Sequence, residues 1–131
     1  MGSTKDQPDT AMAALPNLRL RIVFGTNAML GPGKVDLLQA IHDTGSIAAA
    51  GRVMGMSYKR AWMLVEAMNA AFRDPLVASA RGGAKGGGAV VTPAGQAVLH
   101  QYRALEEITA QAGRAQIAAL AAMLRDMSDG K

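Results

Sequence analysis

The sequence predicts a mainly α-helical domain with a small β-hairpin and a long C-terminal helix. Apolar residues make up 50% of the 131 residues and aromatic residues only 4%, so Ala, Leu and Met, which favour helices, must fill most of the core. Three segments with helical spacing are separated by glycine and serine residues that end one helix and cap the next. Two short apolar runs then flank a glycine-rich stretch, as expected for a hairpin.

The N-terminal part of the chain divides into a leader, a strand and a loop. Residues 1–16 are polar, then rich in alanine, and end at a proline, which predicts a mobile leader. Residues 18–24 alternate apolar side chains with two arginines, a pattern typical of a half-buried strand. The turn-forming residues from Gly25 to Gly33 predict a loop.

The first two predicted helices follow this loop. Pro32 suits the first turn of a helix, and Gly45 is placed to end it. Ser46 is the predicted N-cap of a short second helix over residues 47–54. The small residues from Ala48 to Gly51 predict close packing of this helix on its neighbour.

A third helix is predicted from the N-cap Ser57 to about Phe72, after Gly55 ends the second helix. Two helices joined by a three-residue turn that contains glycine are typical of a helix-turn-helix. The predicted inner face of the third helix carries Ala61, Trp62, Val65, Met68 and Phe72. We expect Trp62 to anchor the core, and the alternative is that its ring stacks on a sugar or a base.

A predicted β-hairpin comes next and forms the small β part of the fold. Residues 76–80 and 89–91 are the two strands, and the glycine-rich tip between them carries Arg81 and Lys85. A hairpin directly after a helix-turn-helix predicts a wing, so the fold class is a winged helix-turn-helix. A phosphate-binding P-loop is excluded because Lys85 is followed by glycine and not by Ser or Thr.

A long helix is predicted for the rest of the chain, with Thr92 as its cap and Pro93 at its first position. It carries two apolar stripes, separated by Gly113, that a small domain cannot cover. We therefore expect this helix to pair with its copy in a homodimer. The predicted organisation is a leader (1–16), a winged helix-turn-helix domain (17–95) and a C-terminal dimerisation helix (96–131).

Charge and composition narrow the function. Residues 31–95 carry seven Lys and Arg against four Asp and Glu, so most of the net charge of +4 lies there, as expected for a protein that binds a polyanion. An ordinary basic surface is the alternative. The absence of cysteine, the isolated His42 and His100 and the lack of any nucleophile motif predict no metal site, no cofactor and no enzyme activity. No apolar run approaches the roughly 20 residues of a membrane span, so we expect a cytoplasmic protein.

The middle of the chain resembles a known family. The stretches that carry the resemblance are Gly31–Val35 with Leu37 and Leu38, Thr44–Ile47, Gly55–Trp62, Met68 and Asn69, Leu76 and Val77, Gly82–Ala89 and Thr92–Gln96. They are similar to the N-terminal DNA-binding domain of molybdate-responsive (ModE-type) transcription regulators, which is related to LysR-type winged helices. The resemblance covers roughly residues 18–110 and implies a dimeric, sequence-specific regulator that binds double-stranded DNA. Family members carry molybdate-binding domains beyond this stretch, whereas this chain ends at Lys131, so molybdate binding is not expected of it.

The resemblance and the motif together predict a DNA-binding site. The third helix is expected in the major groove, with its N-terminal residues nearest the bases. Ser46 and the wing tip are expected at the phosphates, and the two-fold dimer predicts a pseudo-palindromic operator. The predicted DNA-binding residues are Ser46, Ser57, Tyr58, Lys59, Arg60, Met63, Arg81 and Lys85. Two alternatives stay open: Lys59 and Arg60 are only a solvated helix face, or the chain is an adaptor or oxyanion-binding module without DNA binding.

Overall fold

The computed structural model describes residues 18–80 and 88–125. In chain order its elements are β1 (Ile22–Val23), β2 (Met29–Leu30), α1 (Pro32–Thr44), α2 (Ile47–Met54), α3 (Tyr58–Ala71), β3 (Val77–Ala80), β4 (Gly88–Val91), α4 (Pro93–Ala112) and α5 (Arg114–Ala122). The strands form two separate antiparallel pairs, β1 with β2 and β3 with β4. The mainly helical fold class with a small β part is confirmed.

The predicted helix boundaries are confirmed because local chemistry fixes them. Gly45 and Gly55 end α1 and α2 in the left-handed region, with φ of 74° and 72°, where a side chain is disfavoured. The Ser46 hydroxyl accepts a hydrogen bond from the backbone N–H of Ala49 at 3.0 Å. The Ser57 hydroxyl accepts one from the N–H of Arg60 at 3.1 Å, so both serines are N-caps.

The core lies within the compact unit formed by residues 19–105. Its largest fully buried side chains come from α1, α3, the strand pair β3–β4 and α4: Val35, Leu37, Leu38, Ile41, Val65, Met68, Leu76, Val91 and Tyr102. The hydroxyl of Tyr102 donates a hydrogen bond to the carbonyl of Leu20 at 2.5 Å. This bond ties the segment before β1 to α4, so that a buried polar group is satisfied at the edge of the core.

The N-terminal strand differs from the prediction. Only Ile22–Val23 of the predicted strand 18–24 is extended and paired, and its partner Met29–Leu30 lies in the predicted loop. The backbone N–H of Phe24 donates to the carbonyl of Ala28 at 2.8 Å and closes the turn between the two strands. The loop prediction was therefore wrong at β2, because a two-residue strand is too short to show an alternating pattern.

The base of the wing is held to its neighbours by side-chain hydrogen bonds. The Asn69 carboxamide oxygen accepts from the N–H groups of Leu76 and Val77, and its amide nitrogen donates to the Val77 carbonyl. The Thr92 hydroxyl donates to the Pro75 carbonyl at 2.7 Å and accepts from the Gly95 N–H at 3.0 Å. These bonds fix the two strands of the wing against the end of α3 and the start of α4.

Residues 106–125 belong to a second unit, which is described here by itself. Helix α5 begins after Gly113, and none of its residues is buried. Leu120 and Leu124 are exposed, as is Ile108 near the end of α4. In the described ranges no helix combines the length and the apolar character needed to cross a membrane.

Among the glycines of the described ranges, Gly95 is packed most tightly, which provides a test of the fold. A Cβ atom at this position would overlap the carbonyl oxygen of Leu76 and lie 2.6 Å from Cγ1 of Val91. We expect Gly95→Ala to lower the free energy of unfolding by about 3 kcal/mol, because the wing base and α4 must move apart. Urea denaturation measures this change.

The matched control is Gly33→Ala in α1, where no atom lies within 4 Å of an added Cβ. This variant should leave the free energy of unfolding unchanged or raise it by up to about 1 kcal/mol, because alanine favours the helix. Equal losses in the two variants would contradict the packing described at Gly95.

Candidate nucleic-acid interface

The first two turns of α3 expose a cluster of polar and apolar side chains. Ala61, Val65 and Met68 are buried and define the inner face of the helix. Because successive residues are turned by about 100°, the residues between them lie on the flanks and the outer face. Four of the predicted contact residues are exposed there: Tyr58, Lys59, Arg60 and Met63. The structure therefore brings these four together and places Ser57 at the cap in front of them.

The direction of this outer face is set by the contact between α2 and α3. A Cβ atom added at Gly51 would lie 3.4 Å from Cβ of Ala61 and 3.4 Å from the carbonyl oxygen of Met56. In the three-residue turn, the N–H of Gly55 donates to Arg52 and the N–H of Met56 donates to Gly51. The small residues thus let the two helices pack closely, with space at Gly51 for no more than a methyl group, and the predicted close packing of α2 on its neighbour is confirmed.

Ser46 caps α2 near the base of the wing. Its hydroxyl is engaged by Ala49, and its backbone N–H donates to the hydroxyl oxygen of Thr44 at 3.3 Å. The carbonyl of the preceding Gly45 accepts a hydrogen bond from the N–H of Ala89 in β4 at 3.0 Å. The capping role is confirmed, and a contact of Ser46 with DNA stays a prediction.

Trp62 is not part of the core, so the prediction that it anchors the core was wrong. Its exposed fraction is 36%, and its ring meets that of Tyr58 edge to face, with centroids 6.3 Å apart and an interplanar angle of 85°. Trp62 follows the buried Ala61 directly, so the helical turn carries it onto a flank. The partly buried Leu64 packs against the core instead. The spacing of four and three residues between Ala61, Val65 and Met68 places position 62 at the side of the buried stripe and was the available signal.

The two basic residues of α3 are free of ion pairs with described residues. Across 18–80 and 88–125, salt bridges join Asp36 to Arg19 at 3.7 Å and to Arg103 at 3.3 Å, but none involves Lys59 or Arg60. Both side chains are exposed. Their charges are therefore available to neutralise an anion such as a phosphate.

The wing is confirmed at its base. Its strands pair from Val77 with Val91 to Ala80 with Gly88. Arg81 and Lys85, the predicted wing contacts, lie in residues 81–87, outside the described residues. Among the described residues, no group of three or more His, Asp or Glu is arranged to hold a metal ion.

A helix-turn-helix with a tight three-residue turn, followed by a two-stranded wing base, defines a winged helix-turn-helix domain. Residues 33–96 match the family described as bacterial regulatory helix-turn-helix protein, lysR family. This segment is therefore similar to the LysR-type helix-turn-helix domain.

Individual relatives give a more specific likeness than the family model does. The chain is 52% identical over 81 residues to the molybdenum-pterin-binding protein MopB of Rhodobacter capsulatus, an alignment that covers 62% of this chain and 30% of that protein. It is 40% identical over 81 residues to the DNA-binding transcriptional dual regulator ModE of Escherichia coli strain K12, covering 62% and 31%. The chain thus resembles the N-terminal DNA-binding domain of ModE-type regulators and spans less than a third of these relatives.

The fold also matches a solved structure. The crystal structure of the CbnR_DBD-DNA complex superimposes with a TM-score of 0.52 at 24% sequence identity, over 67% of this chain and 95% of that chain. At this identity the match concerns the fold, and it agrees with the winged helix-turn-helix assignment.

The cap of α3 provides a test of how the exposed cluster is held. We expect Ser57→Ala to lower the free energy of unfolding by about 1 kcal/mol, because the N–H of Arg60 loses its acceptor. Ser57→Asp should restore most of the stability, since a carboxylate also caps and suits the positive end of a helix. Thermal unfolding followed by circular dichroism measures both.

Ser79→Ala in the exposed part of β3 is the matched control, with an expected change below about 0.5 kcal/mol. If Ser57→Ala were as harmless as this control, the capping role of Ser57 would be refuted.

Proposed function

We propose that this chain is the DNA-binding part of a ModE-type transcription regulator, and that α3 reads an operator in the major groove. The observation that carries the proposal is the exposed cluster on the first two turns of α3, with Lys59 and Arg60 free of ion pairs with described residues. In helix-turn-helix proteins these turns of the second helix approach the base edges. The names of the relatives, one a DNA-binding transcriptional regulator, support the same conclusion.

The helical geometry suggests a role for each side chain. Lys59 and Met63 are one turn apart on the line of α3 opposite the buried Ala61, so they are assigned to the floor of the groove. There a lysine suits guanine O6 and N7, and a methionine suits a thymine methyl group. Arg60 lies on the flank of α3 away from Trp62 and is assigned to a phosphate of the groove wall. Ser46, Arg81 and Lys85 are assigned to flanking phosphates, as the sequence analysis predicts.

We also propose that the regulator is a homodimer. Leu120 and Leu124 in the second unit are exposed, and Ile117 lies between them and the start of α5. Ile117 and Leu120 lie three residues apart on α5, and Leu124 follows the end of the helix; exposed apolar side chains at such spacing are typical of a helix that pairs with a second copy of itself. Two α3 helices related by a two-fold axis would read a pseudo-palindrome with half-sites about 34 Å apart, or a multiple of that distance.

The biological setting follows from the same relatives. Their names connect them with molybdenum and with transcription, so we propose that the controlled genes serve molybdenum metabolism. We propose a cytoplasmic location, because the protein would bind chromosomal DNA there. We propose no catalytic activity for the chain. Genomic sites mapped by immunoprecipitation should cluster upstream of such genes.

The DNA-binding proposal predicts different outcomes for two neighbouring substitutions. Lys59→Ala should weaken operator binding by about 1–3 kcal/mol and reduce the preference for operator over unrelated duplex. Arg60→Ala should weaken binding to both duplexes equally and make the salt dependence shallower by about one unit of slope. Mobility-shift titrations at several salt concentrations measure both effects. For the unmodified protein, the slope of log affinity against log salt concentration should be about −5, from roughly three phosphate contacts per subunit.

The matched control is Arg73→Ala, which removes the same charge just beyond the far end of α3. Its operator affinity should stay close to that of the unmodified protein. A salt slope near zero, with saturable molybdate binding in calorimetry, would contradict the proposal and favour the adaptor or oxyanion-binding alternative.

The dimer proposal predicts that Leu120→Glu dissociates the protein, because burying a carboxylate in an apolar helix pair is costly. Sedimentation equilibrium should show a monomer for this variant and a dimer for the unmodified chain. Ala119→Glu, an exposed neighbour turned by about 100° from Leu120 on α5, is the control and should remain a dimer. A monomeric unmodified chain, or identical behaviour of the two variants, would rule out pairing through this face.

A further inference from the structure

Tyr58 and Trp62 form an aromatic pair on the surface that the core does not use. They lie one helical turn apart, meet edge to face, and expose 57% and 36% of their surface. No hydrogen bond joins the Tyr58 hydroxyl or the Trp62 indole N–H to any of the described residues. Two large rings and two hydrogen-bond donors are therefore available to a ligand.

The position of the pair on α3 indicates what it faces. Asn69 follows Trp62 by seven residues, so it lies on nearly the same side of the helix. Its side chain is bonded to Leu76 and Val77 at the start of the wing. The aromatic pair thus lies on the flank of α3 that carries Asn69, next to the outermost line with Lys59 and Met63.

We infer that Tyr58 and Trp62 form a binding site for the sugar–phosphate backbone of DNA, a step that rests on the proposed function. If the outermost line of α3 faces the groove floor, its flank faces the groove wall, which consists of deoxyribose and phosphate. The ring faces pack against deoxyribose carbons, and the phenol O–H and indole N–H donate to phosphate oxygens. The edge-to-face contact holds both rings in place before binding, which lowers the entropy lost on association.

This assignment separates the pair from its basic neighbours. Neither ring carries a charge, so binding the backbone through them releases no counterions and adds nothing to the salt dependence. The backbone is also the same in every sequence, so the contact strengthens operator and unrelated DNA alike. The pair therefore positions α3 in the groove, while Lys59 and Met63 read bases.

The direct test uses intrinsic fluorescence, because Trp62 is the single tryptophan of the chain. Acrylamide quenching is measured on the unmodified protein, alone and saturated with operator or with unrelated duplex at low salt. The quenching constant should fall by at least about twofold with both duplexes, because contact with the backbone excludes the quencher. An unchanged constant while a mobility shift proves DNA binding would overturn the inference and leave the proposed function intact.

Substitutions test the same contact by affinity. Trp62→Ala should weaken binding to both duplexes by the same factor, about tenfold, with an unchanged salt slope. Trp62→Phe and Tyr58→Phe each remove one donor but keep a ring, so their losses should be smaller. Phe24→Ala is the control, because Phe24 is 56% exposed and lies near Ala71 and Phe72 at the other end of α3.

Each remaining outcome also decides the question. A Trp62→Ala variant that changes the preference between operator and unrelated duplex would overturn the backbone assignment in favour of a base contact. A shallower salt slope for Trp62→Ala would mean that the lost contact had displaced cations from the DNA, and it would also contradict the backbone assignment. If Trp62→Ala fails to fold in urea titrations, the two phenylalanine variants and the quenching experiment still decide. A chain that binds no duplex would refute both the inference and the proposed function.

Discussion

The close approach of α2 and α3 is the constraint on which the rest of the site depends. Gly51 and Ala61 leave room for no more than a methyl group between the helices, and the hydrogen-bonded turn around Gly55 fixes their angle. Once the inner face of α3 is pressed on α2 and the core, its outer face has a single direction. The buried residues of α3 thus set the orientation of the exposed side chains on its first two turns.

The hydrogen bonds that hold the wing base to the helices do not involve the exposed side chains of α3. Asn69, Thr92 and the Gly45 carbonyl hold β3 and β4 through backbone partners. None of these bonds uses a residue of the exposed cluster on α3. The fold can therefore tolerate changes at positions 58–60 and 63. The exposed residues of these turns and the buried residues that hold the helix are separate sets on α3.

Much of this architecture was predictable because its determinants are local. The helix ends were predictable because capping acts within one helical turn. The residue types and spacing that indicate these ends are Gly45 with Ser46 and Gly55 with Ser57. The prediction that Trp62 anchors the core was wrong because it relied on the hydrophobicity of the side chain and not on its position in the helical repeat. β2 was missed because its pairing with β1 is a tertiary contact of two residues that leaves no periodic signal. The contact between Tyr58 and Trp62 is local, because the two residues are four apart on one helix, and the sequence could have shown it.

The central claim is that α3 enters the major groove with Met63 at its floor, and tethered cleavage tests it most directly. The chain contains no cysteine, so Met63→Cys supplies a single attachment point for an iron–EDTA reagent. The account predicts two narrow sets of cuts, facing the major groove of each half-site and centred about 34 Å apart or a multiple of that. Cuts as scattered as those from the free reagent, on a protein that still binds the operator, would contradict it.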